Sequence, residues 1–127
     1  MFIKRIIFSQ EEIFYKLFLF LLLMFKIFTT KEFDDDFEKL DSSIQVRINK
    51  QIEQLRTNPY VGKPLGYRFF REKKTENYRF YYLIYEEYVV VFIIAISSKK
   101  DQQSTINKIK KLIPYYKDEI GKKFKTL

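Results

Sequence analysis

The sequence predicts an α+β domain built from a short first strand, a helical pair, a three-strand meander and a final helix, with helices packed on one face of the sheet. Three observations predict it. Apolar residues keep helical spacing through Phe33, Phe37 and Leu40 and again through Ile44, Ile48, Ile52 and Leu55. Aromatic and β-branched residues then dominate positions 67–97, and helical spacing returns at Ile106, Ile109 and Ile113. With 127 residues, 46% hydrophobic and 19% aromatic, the chain can bury one core but hardly two, so one compact domain is expected.

Ahead of that domain stands an apolar run. Only Leu17 to Phe25 lie between Lys16 and Lys26, whereas a spanning helix needs about 20 consecutive apolar residues. Lys4 and Arg5 resemble the charged start of a signal peptide, but Glu11, Glu12 and Lys16 interrupt it and no small-residue cleavage site follows. Residues 1–23 are therefore expected to be an apolar extension outside the core, translated upstream of the natural start; an added interaction helix and a membrane-targeting segment are the alternatives. Residues 24–127 form the expected domain.

From Met24 the local signals agree. MFKIFTT has strand chemistry, with Phe25 and Ile27 alternating against Lys26 and Phe28. Thr29 to Glu32 form a T-x-x-E capping box, with Phe28 and Phe33 placed for a hydrophobic staple. Asp34, Asp35 and Asp36 fall in the first turns of that helix, where its dipole favours negative charge; three consecutive carboxylates point in different directions, so a solvated face is expected there rather than a metal site. Ser42 and Gln45 supply a second capping box, and Thr57 to Pro59 should end the longer helix. Tyr60 to Gly66, YVGKPLG, reads as a structured loop whose spacing does not match a phosphate-binding loop.

Strands are expected at Tyr67 to Lys74, at Tyr78 to Tyr85 and through YVVVFIIAIS, separated by KTEN and by Glu86 and Glu87. The last is apolar on both faces, as a central strand should be. A helix follows from about Asp101 until Pro114 stops or kinks it, and the tail beyond adds a turn or stays mobile.

Composition narrows the chemistry. With no cysteine there are no disulfides or thiolate metal sites, which is compatible with a reducing cytoplasm. With no histidine the commonest proton-transfer group is gone, so any catalysis must rely on Lys, Arg, Tyr or carboxylates. A net charge of +8 suggests a polyanionic partner, whether nucleic acid, an anionic surface or an acidic protein. Cations concentrate in the sheet half as Lys63, Arg68, Arg71, Lys73, Lys74 and Arg79, interleaved with aromatic residues. Arg71 and Lys73 share a strand face with Phe69, and Arg79 shares one with Tyr81 and Tyr85. Such a set suits pairing with phosphates and stacking on unpaired bases; it equally suits a sheet edge kept soluble by cations, with tyrosines as half-buried packing.

The stretch NPYVGKPLGYRFFREKKTENYRFYYLIYEEYVVVFIIAISSKKDQQSTINKIKK resembles the RelE/ParE superfamily of type II toxin-antitoxin toxins in its G-K-P-L, basic strand, Y-R-[apolar]-x-Y and A-[apolar]-S-x-K-K elements. The likeness extends back through FEKLDSSIQVRINKQIEQL to Met24. It implies a small twisted, mostly antiparallel four-stranded sheet, with the N-terminal helical pair on one face, a basic concave face on the other and a C-terminal helix. It also implies a cognate antitoxin partner carrying an acidic amphipathic segment.

Ribosome-dependent members cleave mRNA by attack of a 2′-OH on the adjacent phosphate, without metal or small-molecule cofactor. By position, Arg79 matches the family's strand arginine and is the expected phosphate-charge stabiliser. Arg71 and Lys73 match its basic pair, and Lys99 stands at its second arginine. Lys63, Arg68, Lys74, Tyr81, Tyr85 and Lys100 complete the expected RNA-binding set. The family's tyrosine is replaced here by Thr105, with Tyr81, Tyr85, Tyr115 or Tyr116 as spatial substitutes, and Lys99 lacks bidentate phosphate geometry. Two further readings stand beside the nuclease, a gyrase-inhibiting ParE-type toxin and a noncatalytic basic RNA-binding module.

Overall fold

A computed structural model describes residues 7–125. Its elements run α1 (Gln10–Leu23), β1 (Lys26–Thr29), α2 (Lys31–Glu38), α3 (Ser42–Leu55), β2 (Lys63–Tyr67), β3 (Phe70–Thr75), β4 (Tyr78–Tyr85), β5 (Val90–Ser98) and α4 (Gln102–Lys125). Single 3₁₀ turns occupy Pro59–Val61 and Glu86–Tyr88. The sheet has five strands in the order β1-β5-β4-β3-β2, antiparallel except for the parallel pairing of β1 with β5.

The fifth strand corrects the loop expected at Tyr60 to Gly66. Lys63–Tyr67 pairs with β3 at the sheet edge, where Pro64 needs no second ladder partner and Gly66 takes φ +88° at the irregularity beside the hairpin turn. The strand expected from Tyr67 accordingly divides, and β3 begins at Phe70. By contrast, β4 spans the expected residues. The turn after it closes with Val89 in the left-handed region at φ 54°.

Helices cover both faces, not one. Phe33, Ile44, Ile48, Ile52 and Leu55 of α2 and α3 pack on Phe80, Tyr82, Ile84, Val91 and Ile93. Ile106, Ile109, Tyr116 and Ile120 of α4 pack on Phe70, Tyr81, Leu83, Phe92 and Ile94. Strand alternation sorts β4 cleanly, with even positions under α3 and odd positions under α4. Each large side chain buried this way contributes roughly 1.5–3 kcal/mol. The basic concave face expected opposite the helical pair is therefore an apolar core beneath α4.

Pro114 does not stop that helix. It sits inside α4, which continues through Lys125 because Tyr116 and Ile120 beyond the proline bury in the same core as Ile106 and Ile109 before it. That anchoring on both sides offsets the lost N–H and the ring's clash with the preceding turn.

Neither expected capping box forms. Thr30, not Thr29, is the N-cap of α2 and its Oγ1 accepts from the Phe33 N–H at 3.0 Å, while also donating to the Ile94 carbonyl at 2.6 Å. The cap thus ties α2 to β5. Phe28 and Phe33 lie in opposite cores, so no staple forms between them. Asp41 is the N-cap of α3, and Gln45 Nε2 donates back to the carbonyls of Phe37 and Leu40 at 3.0 and 3.1 Å, satisfying the end of α2.

α1 is helical with Ser9 as its cap, its Oγ accepting from the Glu12 N–H, yet none of its residues is buried. No helix among the described residues is long and apolar enough to cross a membrane.

Candidate functional site

The sheet separates the expected site residues. On β3, Phe70, Glu72 and Lys74 face α4, while Arg71, Lys73 and Thr75 face α3, and the register places Glu72 opposite Tyr81 and Lys74 opposite Arg79. Arg79 therefore does not share a face with Arg71 and Lys73.

Arg71 is engaged in the fold. Its Nε donates to the Arg68 carbonyl at 2.8 Å and its Nη1 to the carbonyls of Tyr60 and Gly62 at 2.8 and 2.7 Å. Its guanidinium and that of Arg68 lie 5.1 and 4.4 Å from the Tyr60 ring centroid, and the Tyr60 hydroxyl donates to Glu86. Burial and the Glu86 carboxylate raise the Tyr60 phenol above its ordinary range. This clasp closes the 3₁₀ turn against the β2–β3 hairpin. Lys73 stands half-buried opposite Phe80 on the same face.

Arg79 is placed differently. It is 8% exposed, its Nη1 has no hydrogen-bond partner, and among the described residues it makes no ion pair within 4.0 Å. Across the sheet it is flanked by exposed Lys74 on β3 and buried Ser97 on β5. Lys99 and Lys100 occupy the exposed turn that leaves β5, next to the first residue of α4. One step deeper lie Lys63, Glu72 and Tyr81 in a single cross-strand row, and Glu72 accepts from Gln102 Nε2 through both oxygens, at 3.1 and 3.0 Å. The result is a polar mouth at one end of the sheet, under the start of α4, with Arg79 as its unengaged buried cation.

Tyrosines expected to stack on bases are core residues. Tyr81 is 0% exposed and its hydroxyl lies 2.6 Å from Ser97 Oγ; burial is the main cause that raises its phenol, with Glu72 adding to it and Ser97 and Arg79 opposing. Tyr85 is buried near Tyr116, and burial pushes its phenol well above the ordinary range. α4 covers both, so no base reaches them. Of the tyrosines considered as substitutes at Thr105, Tyr116 is also buried, and Tyr115 is exposed. Thr105 itself donates its hydroxyl to the Asp101 carbonyl at 2.8 Å.

Glu72, Ser97 and Gln102 did not emerge from the sequence as site residues. For Glu72 a signal was present, since it shares strand parity with Phe70.

The family described as "ParE toxin of type II toxin-antitoxin system, parDE" matches residues 27–103. The chain belongs to the RelE/ParE superfamily of type II toxins. The match begins inside β1 and ends in the first turn of α4, so it takes in most of the sheet, both helices of the pair and the mouth around Arg79. Among solved structures, a free mutant form of the Escherichia coli toxin RelE is similar at 20% identity and TM-score 0.58, over 67% of this chain and 92% of that one. In the intact E. coli RelBE toxin-antitoxin complex, a chain is similar at 23% identity and TM-score 0.54, over 59% of this chain and 95% of that one. The RelBE toxin-antitoxin complex from Mycobacterium tuberculosis gives 24% identity and TM-score 0.53, over 60% and 92%. At these identities the likeness establishes the fold. No curated protein sequence matches the chain.

Proposed function

We propose that the chain is a ribosome-dependent endoribonuclease toxin that cleaves mRNA by 2′-OH attack on the adjacent phosphate, with Arg79 stabilising the charge that gathers on the phosphorus oxygens. The observation that carries this reading is the buried Arg79 guanidinium with an unpartnered Nη1, flanked by Lys74 and close in sequence register to the Lys99–Lys100 turn. A buried cation left without an anion is costly, and a fixed cation aimed at developing negative charge is the strongest lever available to a chain without histidine. Lys63, Lys74, Lys99 and Lys100 serve as exposed contacts to RNA phosphates. Arg68, Arg71 and Lys73 support the mouth through the hairpin rather than touching the reacting phosphate.

The cognate antitoxin is the expected partner, and a RelBE complex among the similar structures supports it. Acting on mRNA at the ribosome places the chain in the cytoplasm. The working domain is residues 24–127, since the family match starts at residue 27 and α1 buries nothing.

Brief induction followed by mapping of mRNA 5′ ends tests the reading. Wild type should generate new internal 5′ ends and arrest translation, and Arg79→Ala should lose both by about 10²–10³-fold. A second reading, a ParE-type inhibitor of DNA gyrase, is favoured by the match to the ParE family. Unchanged mRNA ends with DNA damage on induction select it, and RNA binding with harmless overexpression selects a noncatalytic module.

A further inference from the structure

Glu72 and Arg79 are both buried, at 7% and 8% exposure, on neighbouring strands and on the same face of the sheet. They are offset diagonally by two positions, because Glu72 opposes Tyr81 and Arg79 opposes Lys74. Diagonal neighbours of this kind stand about 7–8 Å apart, well within reach of two long side chains. Opposite charges taken out of water normally close on one another. These do not, for no Arg79 nitrogen lies within 4.0 Å of an acidic oxygen among the described residues. Glu72 is instead held by Gln102 from the first turn of α4, at 3.1 and 3.0 Å, while Arg79 Nη1 stays unpartnered. The two charges are fixed apart on neighbouring strands.

We infer that Glu72 is the general base of the reaction, an inference that rests on the nuclease reading of the Arg79 mouth. A guanidinium bonded to a phosphate oxygen and a carboxylate bonded to the neighbouring 2′-oxygen must be separated, not paired, and this acid and base have that arrangement on one face. The 2′-oxygen forms its bond to phosphorus as its proton passes to a Glu72 carboxylate oxygen. The bond from phosphorus to the 5′-oxygen breaks, and that oxygen takes a proton from water. The products are a 2′,3′-cyclic phosphate and a 5′-hydroxyl end, and Glu72 returns its proton to solvent. Arg79 bonds the phosphate oxygens throughout. Gln102 orients the carboxylate and is half-buried at the start of α4, so rotation of its own side chain uncovers Glu72 without unseating the helix. A buried acid that merely fastens α4 to β3 is the competing role.

The test uses the full chain and ribosomes programmed with mRNA, comparing wild type, Glu72→Gln and Glu72→Asp for cleavage rate against pH. Glutamine keeps a bond to Gln102 and cannot accept a proton at its amide, so folding should survive; melting temperature checks this. The expected result is a rate loss of about 10²–10⁴-fold in Glu72→Gln, carried by kcat and not KM, with the acid limb of the pH–rate profile abolished and partly restored in Glu72→Asp. An unchanged profile in Glu72→Gln overturns the inference even if the rate falls with stability, because a fastening role moves melting but not the limb. If wild type produces no cleavage at any pH, the nuclease reading itself fails and takes the general base with it, whereas an active wild type with an indifferent Glu72→Gln removes Glu72 alone.

Discussion

Arg71 and Arg79 lie on adjacent strands and point to opposite faces of one sheet, and their surroundings have little in common. Arg71 spends its donors on three backbone carbonyls around the Tyr60 turn. Arg79, more deeply buried, keeps Nη1 free. Hydrogen bonds to carbonyls satisfy a guanidinium while leaving its charge bound to the fold; an unpartnered buried guanidinium carries a cost that an incoming anion removes. On the α3 face the guanidinium is engaged by the fold, and on the α4 face Arg79 Nη1 is left without a partner.

The largest expected effects come from exchanging those roles. Arg79→Ala should lose mRNA cleavage by about 10²–10³-fold while changing the urea midpoint little. Arg71→Ala should lower folding stability by about 2–4 kcal/mol, since it strips charge-assisted bonds from three carbonyls. If Arg71→Ala leaves the midpoint alone and abolishes cleavage, the division between the faces is wrong.

Next in size is Gly62→Ala. A Cβ at Gly62 meets the Tyr82 hydroxyl and stands 2.7 Å from the Glu72 carbonyl oxygen, in the turn that Arg71 clasps. The backbone there is ordinary, so the cost is overpacking, about 1–3 kcal/mol in a denaturation midpoint. The same substitution at a site with space would cost little.

Alkaline titration distinguishes the faces more gently. Burial is the main cause that pushes Tyr82 up to about 12, with Tyr81, Tyr85 and Tyr116 also raised. A phenol whose proton is held more tightly in the folded state stabilises fully below its ordinary value near 10 and loses that contribution as pH rises toward 12. Stability should therefore fall above pH 10, and Tyr82→Phe should flatten part of the fall; an equally steep loss in Tyr82→Phe would show that other groups carry it. The neutral-pH cost of that substitution is separate, because the Tyr82 hydroxyl donates to the Pro59 carbonyl at 2.6 Å and accepts from the Gly62 N–H at 3.0 Å.

Removal of residues 1–23 should have the smallest effect. α1 contributes no buried side chain, so melting temperature and toxicity should stay as they are. A truncated chain that unfolds or loses toxicity would make the apolar helix a working part of the protein.

Most of the architecture was legible because it is local. Helical spacing identified Ile44, Ile48, Ile52 and Leu55 as a buried face, and period-two chemistry identified β4 and a central β5. What escaped depended on neighbours far along the chain. Lys63–Tyr67 carries glycine and proline, and it becomes a strand only because β3 offers a free edge. Thr29 and Thr30 are equivalent as caps by sequence, and the Ile94 carbonyl selects Thr30.

The sequence by itself determined the family, the helical pair, the strands β1, β4 and β5 and the basic character, since motif order, periodicity and charge are all written along the chain. Only the tertiary structure decided how the site residues divide. A strand sends neighbours to opposite faces, so which of Arg71 and Glu72 joins Arg79 depends on register and on the helix above. Packing of α4 turned Tyr81 and Tyr85 into core, and Gln102 at its start holds Glu72 beside an Arg79 with which it makes no ion pair.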